Sequence, residues 1–212
     1  MKKILITASL FFVVTIVSFG QKKKKVTPAK VAENTVISDT PYLRDKTIPE
    51  FSLLLNVRKH DTLTTSQKKR HLNIKELPGG ADTTWFTNKD IPANRPAIII
   101  YFSPECGHCI SEMKEIIKNM DSLKKAFFVM GSFHPLDSLK SFGVKFNLKD
   151  YNNIVVGRDE KYFLVPFYKV QMTPFVALYD NNKKLVKAYT SGINMHELIE
   201  LLKTIPADKR SR

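Results

Sequence analysis

The stretch that most constrains the fold of this chain runs from Ile98 to Cys109. It begins with an uninterrupted series of strand-forming apolar residues, breaks at Ser103-Pro104, and then places Cys106 and Cys109 where a helical pattern starts. After the cysteines, apolar residues recur at three- and four-residue steps as far as Leu123, and polar residues occupy the other face. The stretch therefore predicts a buried strand that leads into a helix, with both thiols in the first turn of that helix.

The position of the two cysteines predicts redox chemistry. A helix N-terminus has unpaired N–H groups and a partial positive charge, which favour the thiolate over the thiol. With two residues between the cysteines, the second sulfur can reach back and close a small disulfide. We therefore expect Cys106 to be the exposed attacking sulfur and Cys109 the resolving one, and we expect the Cys106-Cys109 disulfide to serve in place of any bound cofactor.

Two other interpretations of the cysteine pair are weaker. An inert structural disulfide would gain little stability, because it would close a very short loop. A zinc site would need two further ligands, and the spacing of the histidines does not supply them. We therefore expect no metal. The histidines in question are His60, His71, His134 and His196.

The N-terminus predicts export. Lys2 and Lys3 precede an apolar run from Ile4 to Phe19. Ser18 and Gly20 are small residues at the two positions that a signal peptidase recognises, so Gln21 is the expected mature start. We therefore interpret residues 1–20 as a signal peptide; the alternative is an uncleaved membrane anchor. The predicted location is the periplasm, either soluble or held by the N-terminal segment. The expected partners are exported proteins with disulfides or thiols, together with a membrane thiol protein that donates electrons.

The chain is strongly basic, with a formal net charge of +14. Such a charge can indicate nucleic-acid binding, but an exported protein meets little nucleic acid, so we expect no nucleic-acid partner. Part of the excess is the run Lys22 to Lys25, which can also contact anionic lipid headgroups at a membrane surface. Residues 21–46 have no sustained period and are predicted to form a flexible basic linker.

The rest of the chain predicts one α/β domain over residues 47–205, followed by a C-terminal tail at 206–212. Two N-terminal strands come first, and the residues after the first strand, at 56–73, form either an extended hairpin or a surface insertion. The order after them is β-α-β-α-β, a β-hairpin and a terminal helix. The predicted strands are 51–55, 83–87, 97–102, 126–131, 154–156, 175–179 and 184–189. The predicted helices run from the cysteines to about Lys125, from Pro135 to a stop at Gly143, and from a capping box at Asn194 and Glu197 onward. The aromatic segment 162–168 is expected to pack in the core, with lining of a substrate groove as the second interpretation.

The cysteine pair, combined with a late Thr173-Pro174 before a hairpin, resembles the thioredoxin superfamily over about residues 48–205, and within it the exported TlpA/ResA-like redoxins. The resemblance implies a thioredoxin fold, that is, a central mixed β-sheet flanked by helices, with an N-terminal β-hairpin extension. It also implies that the Thr173-Pro174 bond is cis and packs opposite Cys106, where the Thr173 backbone can pair with a substrate strand. The alternative is a trans proline at an ordinary loop exit.

Three further residues near the cysteines bear on the activity. The TlpA/ResA-like branch carries a glutamate three residues after the second cysteine, and Glu112 stands there, where it is expected to take up the proton of Cys109; an ordinary surface glutamate is the alternative. His108, as an imidazolium, would stabilise the Cys106 thiolate, and the Gly-His pair resembles that of protein disulfide isomerase. Glu105 stands where the superfamily usually has tryptophan, and its charge would oppose thiolate formation.

These observations predict a periplasmic thiol-disulfide oxidoreductase with a Cys-Gly-His-Cys site. Reduction of substrates is favoured over oxidation, but Glu105 and His108 act in opposite senses on the Cys106 thiolate, so the direction of electron flow stays open. Two alternatives stay open. A peroxiredoxin-like peroxidase is suggested by Ser103, three residues before Cys106. A non-enzymatic copper or haem-pathway chaperone would use Cys106, Cys109 and His108 as ligands.

Overall fold

An eight-stranded mixed sheet organises the part of the chain that the computed structural model describes, namely residues 40–56, 74–76 and 82–206. The strands are β1 (Ser52–Asn56), β2 (Ile74–Glu76), β3 (Asp82–Thr87), β4 (Ala97–Tyr101), β5 (Phe127–Ser132), β6 (Ile154–Arg158), β7 (Phe175–Tyr179) and β8 (Leu185–Tyr189). The α-helices are α1 (Pro41–Asp45), α2 (Gly107–Lys118), α3 (Met120–Leu123), α4 (Leu136–Lys145), α5 (Leu164–Tyr168) and α6 (Met195–Thr204), and short 3-10 helices lie at Asn88–Asp90 and Leu148–Asp150. Across the sheet the strand order is β2-β3-β1-β6-β5-β4-β7-β8. The predicted signal peptide and most of the predicted linker lie outside the described residues, as do 57–73 and 207–212.

The apolar strand that leads to the cysteines lies in the middle of this sheet. β4 pairs in parallel with β5 and antiparallel with β7, and every residue of β4 is at most 2% exposed. Alternate side chains reach opposite faces: Ile98 and Ile100 join one core cluster, and Ile99 and Tyr101 join the other. A strand buried on both faces needs no polar alternation, which explains the uninterrupted apolar run.

The predicted N-terminal hairpin is present. β1 pairs antiparallel with β3 in a register that runs from Ser52 opposite Thr87 to Asn56 opposite Thr83. The hairpin joins the main sheet where β1 meets β6, with Leu54 opposite Arg158. The sheet is therefore extended beyond β6 by the hairpin strands and by the short β2, which pairs with β3.

The helix that follows the cysteines is interrupted. The sequence predicts one helix to about Lys125, but α2 ends at Lys118 and α3 begins at Met120. Asn119 leaves helical geometry, with φ at −103°, and its side-chain amide donates to the carbonyl of Glu115 at 2.8 Å. This local bond competes with the continuing helix, which is the usual reason for an asparagine to end one.

Gly143 does not end its helix, contrary to the prediction. α4 continues to Lys145, and the N–H of Phe146 still bonds to the carbonyl of Phe142 at 3.3 Å. A glycine inside a helix costs about 1 kcal/mol, and burial of the apolar face by Leu139 and Phe142 offsets that cost.

The described structure begins earlier than predicted, which corrects the C-terminal boundary of the linker. Helix α1 lies inside the segment 21–46, and its Tyr42 is buried. The Tyr42 ring packs on Tyr168 and Phe175, with ring centroids 5.5 Å and 5.6 Å apart. One aromatic side chain inside a polar segment was the available signal, and its partners lie more than a hundred residues away along the chain.

The aromatic segment 162–168 is only partly in the core, and its lining of a substrate groove stays a prediction. Leu164 and Tyr168, on α5, are buried in the core, whereas Tyr162 and Phe163 are exposed.

The terminal helix α6 begins as predicted, because the Asn194 side chain accepts the N–H of Glu197 at 3.1 Å. Among the described helices, none is long and apolar enough to cross a membrane.

Candidate active site

The two cysteines lie at the junction between β4 and α2, as the sequence predicts. Phe102 prolongs the strand pairing by donating its N–H to the carbonyl of Gly131 at 3.1 Å. A tight turn follows, in which the N–H of Cys106 donates to the carbonyl of Ser103 at 3.2 Å. Helix α2 begins at Gly107, so Cys106 is its N-cap residue.

The two thiols are free and differ in environment. Cys106 is partly exposed, whereas Cys109 is 3% exposed. The N–H of Cys109, together with that of His108, lowers the pKa of the Cys106 thiol to about 7. Burial raises the pKa of Cys109 to about 11. At neutral pH, Cys106 is therefore the thiol with the greater thiolate character, and the order of attack stays a prediction.

Thr173 and Pro174 face the exposed thiol. The bond between them is cis, as the resemblance implied. The Cys106 thiol lies 3.6 Å from the carbonyl oxygen of Thr173 and donates to it. The backbone just before β7 is therefore beside the attacking sulfur.

Glu112 lies on the second turn of α2 and is half-buried. Its side chain forms a hydrogen bond with the C-terminal part of the chain. Its Oε2 accepts the N–H of Ile193 at 3.0 Å. Burial raises the pKa of the carboxyl group, and the Ile193 N–H opposes that rise in part. A carboxylate with a raised pKa is a suitable proton acceptor near neutral pH, and the role of Glu112 toward Cys109 stays a prediction.

The His108 side chain is exposed. Its backbone N–H makes a minor contribution to the lowered pKa of the Cys106 thiol. The predicted action of its imidazolium stays a prediction.

Sequence reasoning missed His134 as a neighbour of the site. Its Nε2 lies 3.0 Å from Oγ of Ser103, and its Nδ1 lies 3.9 Å from Oε1 of Glu105. The two segments are 31 residues apart, so no spacing rule joins them. The available signal was topological: β4 and β5 are parallel, and residues that follow parallel strands meet at the same edge of the sheet.

The geometry describes a dithiol that can exchange two electrons. The exposed thiol is activated, the second thiol lies one helical turn deeper, and a backbone carbonyl stands beside the exposed thiol. Within the described ranges, no group of three His, Cys, Asp or Glu side chains is placed to hold a metal ion.

Comparison with known proteins identifies the fold. No family model matches the chain, and no curated protein matches it. Among solved structures, an uncharacterized thioredoxin-like protein from Porphyromonas gingivalis is 22% identical with a TM-score of 0.52, over 74% of this chain and 90% of that one. An uncharacterized conserved protein from Geobacillus kaustophilus is 14% identical with a TM-score of 0.54, over 78% and 85%. AhpC of Mycobacterium tuberculosis is 15% identical with a TM-score of 0.52, over 77% and 93%.

These likenesses, together with the mixed sheet and flanking helices, show that the chain has the thioredoxin fold. The predicted fold class is confirmed. The narrower TlpA/ResA-like assignment stays a prediction, since the identities are too low to carry more than the fold.

Proposed function

We propose that this protein is an exported thiol-disulfide oxidoreductase that uses Cys106 as its nucleophile and Cys109 as its resolving thiol. The observation that carries the proposal is the contrast between the two thiols. The pKa of the exposed Cys106 is lowered to about 7, and the pKa of the buried Cys109 is raised to about 11. A purely structural disulfide does not require one thiol with a lowered pKa and one with a raised pKa.

The reaction balances as a transfer of two electrons. The Cys106 thiolate attacks one sulfur of a substrate disulfide, the substrate S–S bond breaks, and the departing sulfur takes a proton. Cys109 then loses its proton and attacks Sγ of Cys106, which releases the second substrate thiol. The substrate leaves as a dithiol, and the protein keeps the Cys106-Cys109 disulfide until a donor dithiol reduces it.

The carbonyl of Thr173 supports the first step. It lies 3.6 Å from the Cys106 sulfur, so an extended substrate segment that donates an N–H to Thr173 would hold its own disulfide next to the nucleophile. Binding by backbone hydrogen bonds places few demands on substrate side chains. This arrangement suits an enzyme that acts on several exported proteins.

The extent of thiolate stabilisation supports the reducing direction. In a strongly oxidising site the nucleophilic cysteine has a pKa of about 3.5. The corresponding cysteine of thioredoxin has a pKa of about 7. The pKa of Cys106 is lowered to about 7, which is the value of the reducing protein. We therefore expect a reduction potential of about −270 mV. The periplasmic location and the membrane electron donor rest on the N-terminal sequence, which the structure does not describe.

Trapping of mixed disulfides tests the proposal. Cys109→Ser should hold substrates covalently on Cys106, because the resolving step is lost, whereas Cys106→Ser should hold none. Both variants would be incubated with an oxidised model protein and separated without reductant. Equal trapping by the two variants would contradict the assigned roles. Peroxide consumption far faster than insulin reduction by the wild-type protein would instead indicate the peroxidase alternative.

A further inference from the structure

His134 lies beside the nucleophilic turn and is held there by several contacts. It follows the end of β5, its backbone N–H donates to Oγ of Ser132 at 3.3 Å, and its ring packs on the Phe133 ring with centroids 4.4 Å apart. Its side chain is 14% exposed. An imidazole restrained in this way presents its two nitrogens in fixed directions.

The first of those nitrogens faces Ser103, which organises the turn before the nucleophile. Nε2 of His134 lies 3.0 Å from the Ser103 hydroxyl. The same hydroxyl accepts the N–H of Glu105 at 3.3 Å, and the Ser103 carbonyl accepts the N–H of Cys106 at 3.2 Å. The ring of His134 is thus tied to the residue that orients the backbone of both Glu105 and Cys106.

The second nitrogen faces the carboxylate that precedes the nucleophile. Nδ1 of His134 lies 3.9 Å from Oε1 of Glu105. When the Ser103 hydroxyl donates to Nε2, the ring proton is on Nδ1 and points toward this carboxylate; when the ring is protonated, both nitrogens donate. In both of these forms an N–H of the imidazole faces the Glu105 side chain, whereas a neutral ring with its proton on Nε2 would present no donor to it.

This attraction has a consequence for Cys106. A carboxylate near a thiol opposes formation of the thiolate, because two negative charges would lie close together. The Glu105 side chain is 77% exposed and has room to take other directions. Holding the carboxylate on the His134 side limits its approach to the sulfur.

Ser103, His134 and Glu105 also have the composition of a hydrolytic triad, but the geometry does not support that role. The distance of 3.9 Å between His134 and Glu105 exceeds hydrogen-bond range. The Ser103 oxygen is already engaged by the Glu105 N–H. The cluster is therefore not arranged as a hydrolytic triad.

We propose that His134 is a positioning residue for Cys106, anchored by Ser103, which holds the Glu105 carboxylate away from the nucleophilic sulfur. The inference deepens the proposed function and rests on it, because it matters only if Cys106 is the attacking thiol.

A double-mutant cycle of His134→Ala and Glu105→Gln, made in the reduced protein with Cys109→Ser, tests the proposal. The measurement is the rate of Cys106 alkylation by iodoacetamide as a function of pH. His134→Ala alone should raise the pH midpoint by about half a unit to one unit. In the Glu105→Gln background, where no carboxylate is left to restrain, the same substitution should move the midpoint by less than half as much.

Two further variants separate the effect from loss of structure. His134→Gln can keep a hydrogen bond to Ser103 and should shift the midpoint less than His134→Ala. His196→Ala is the matched control, because His196 is an exposed histidine on α6, and it should leave the midpoint unchanged. Circular dichroism would verify that each variant is folded.

No shift in a folded His134→Ala, or equal shifts with and without the Glu105 carboxylate, would overturn the proposal. Alkylation requires no disulfide substrate, so this outcome is distinct from failure of the proposed function. That failure would appear as a lack of insulin reduction by the wild-type protein, measured in parallel.

Discussion

Oε2 of Glu112 accepts the backbone N–H of Ile193 at 3.0 Å, which joins the active helix to the loop before the last helix. The loop is shaped for this contact. Gly192 has φ at +105°, and a Cβ atom built there would lie 3.1 Å from the same carboxylate oxygen. A glycine thus lets the loop close over the carboxylate, which is half-buried and has a raised pKa because of that burial. This is the environment expected of a group that exchanges protons.

Replacing Glu112 by Gln should slow the resolving step. Cys109, whose pKa is raised to about 11, must lose a proton before it attacks, and glutamine cannot accept one. Since proton acceptors of this kind contribute typically 10²–10⁴-fold, we expect a loss of at least about tenfold in a partly solvated site. The measurement is the decay of a mixed disulfide between Cys106 and a small thiol, followed by mass spectrometry. Glutamine can still accept the Ile193 N–H through its amide oxygen, so the loop contact is kept.

Glu115→Gln is the matched control for this prediction. Glu115 lies on the same helix, is exposed, and pairs with Lys118 at 3.8 Å. Its charge is a minor cause of the raised pKa of Glu112, so Glu115→Gln should change the decay rate much less than Glu112→Gln does. Equal decay in Glu112→Gln and the wild type would show that Glu112 is an ordinary helix glutamate.

The stability of the reduced protein should depend on pH in two opposite ways. The pKa of Cys106 is lowered from 9.0 to about 7, so between these values the unfolded state binds more protons and the free energy of unfolding rises with pH. The pKa of Cys109 is raised from 9.0 to about 11, so between 9 and 11 the folded state binds more protons and the free energy of unfolding falls with pH. Denaturant unfolding with excess reductant, at a series of pH values, gives the total slope, which above about pH 8 also contains a rise from Lys183, because burial lowers the pKa of that lysine to about 8.

Serine variants assign each slope to its thiol. Cys106→Ser should flatten the rise below pH 9, and Cys109→Ser should flatten the fall above it, since serine does not titrate in this range. If Cys106→Ser leaves the rise unchanged, the exposed thiol is not stabilised as a thiolate in the folded protein.

Local patterns were sufficient to predict the frame of the site. The apolar run of β4 has to be buried on both faces, and the helical spacing after Cys109 gives an amphipathic α2. Together these place the thiols at a strand-to-helix junction without any knowledge of the remaining chain. The late Thr173-Pro174 came from resemblance, because no local rule brings it to within 3.6 Å of Cys106.

Contacts across the sheet could not be predicted in the same way. His134 meets Ser103 because β4 and β5 are parallel and in register, with Tyr101 opposite Gly131. Tyr42 is buried because its ring packs against the aromatic rings of Tyr168 on α5 and Phe175 on β7. In both cases the contact partners are distant in sequence, and tertiary packing decides the position of the residue.

The buried hydrogen bond between Tyr168 and Tyr179 provides a third prediction, on stability. The two hydroxyl oxygens lie 2.9 Å apart inside the core. Tyr179→Phe should lower the free energy of unfolding by about 1–3 kcal/mol, because it leaves the Tyr168 hydroxyl buried without a partner. The double variant with Tyr168→Phe should lose less than the sum of the two single variants, since it removes both polar groups. Additive losses in urea unfolding would contradict a direct interaction.

Substitution by alanine should have opposite effects on stability at Gly157 and at Gly143, because the two glycines have different surroundings. Gly157 is on β6, where a Cβ would lie 2.7 Å from Cβ of Leu53 and 3.2 Å from the carbonyl oxygen of Leu54. Both atoms belong to β1, so Gly157→Ala should push the N-terminal hairpin from the main sheet and destabilise the protein by about 1–3 kcal/mol.

At Gly143, inside α4, a Cβ would meet nothing within 4 Å, so Gly143→Ala should stabilise the protein by about 0.5–1 kcal/mol through helix propensity alone. Urea unfolding of the two variants measures both effects. Because the β1–β6 seam lies two strands away from β4, the pH midpoint of Cys106 alkylation should stay unchanged in folded Gly157→Ala. Equal stability of the two variants would mean that β1 and β6 do not approach each other as closely as the structure places them.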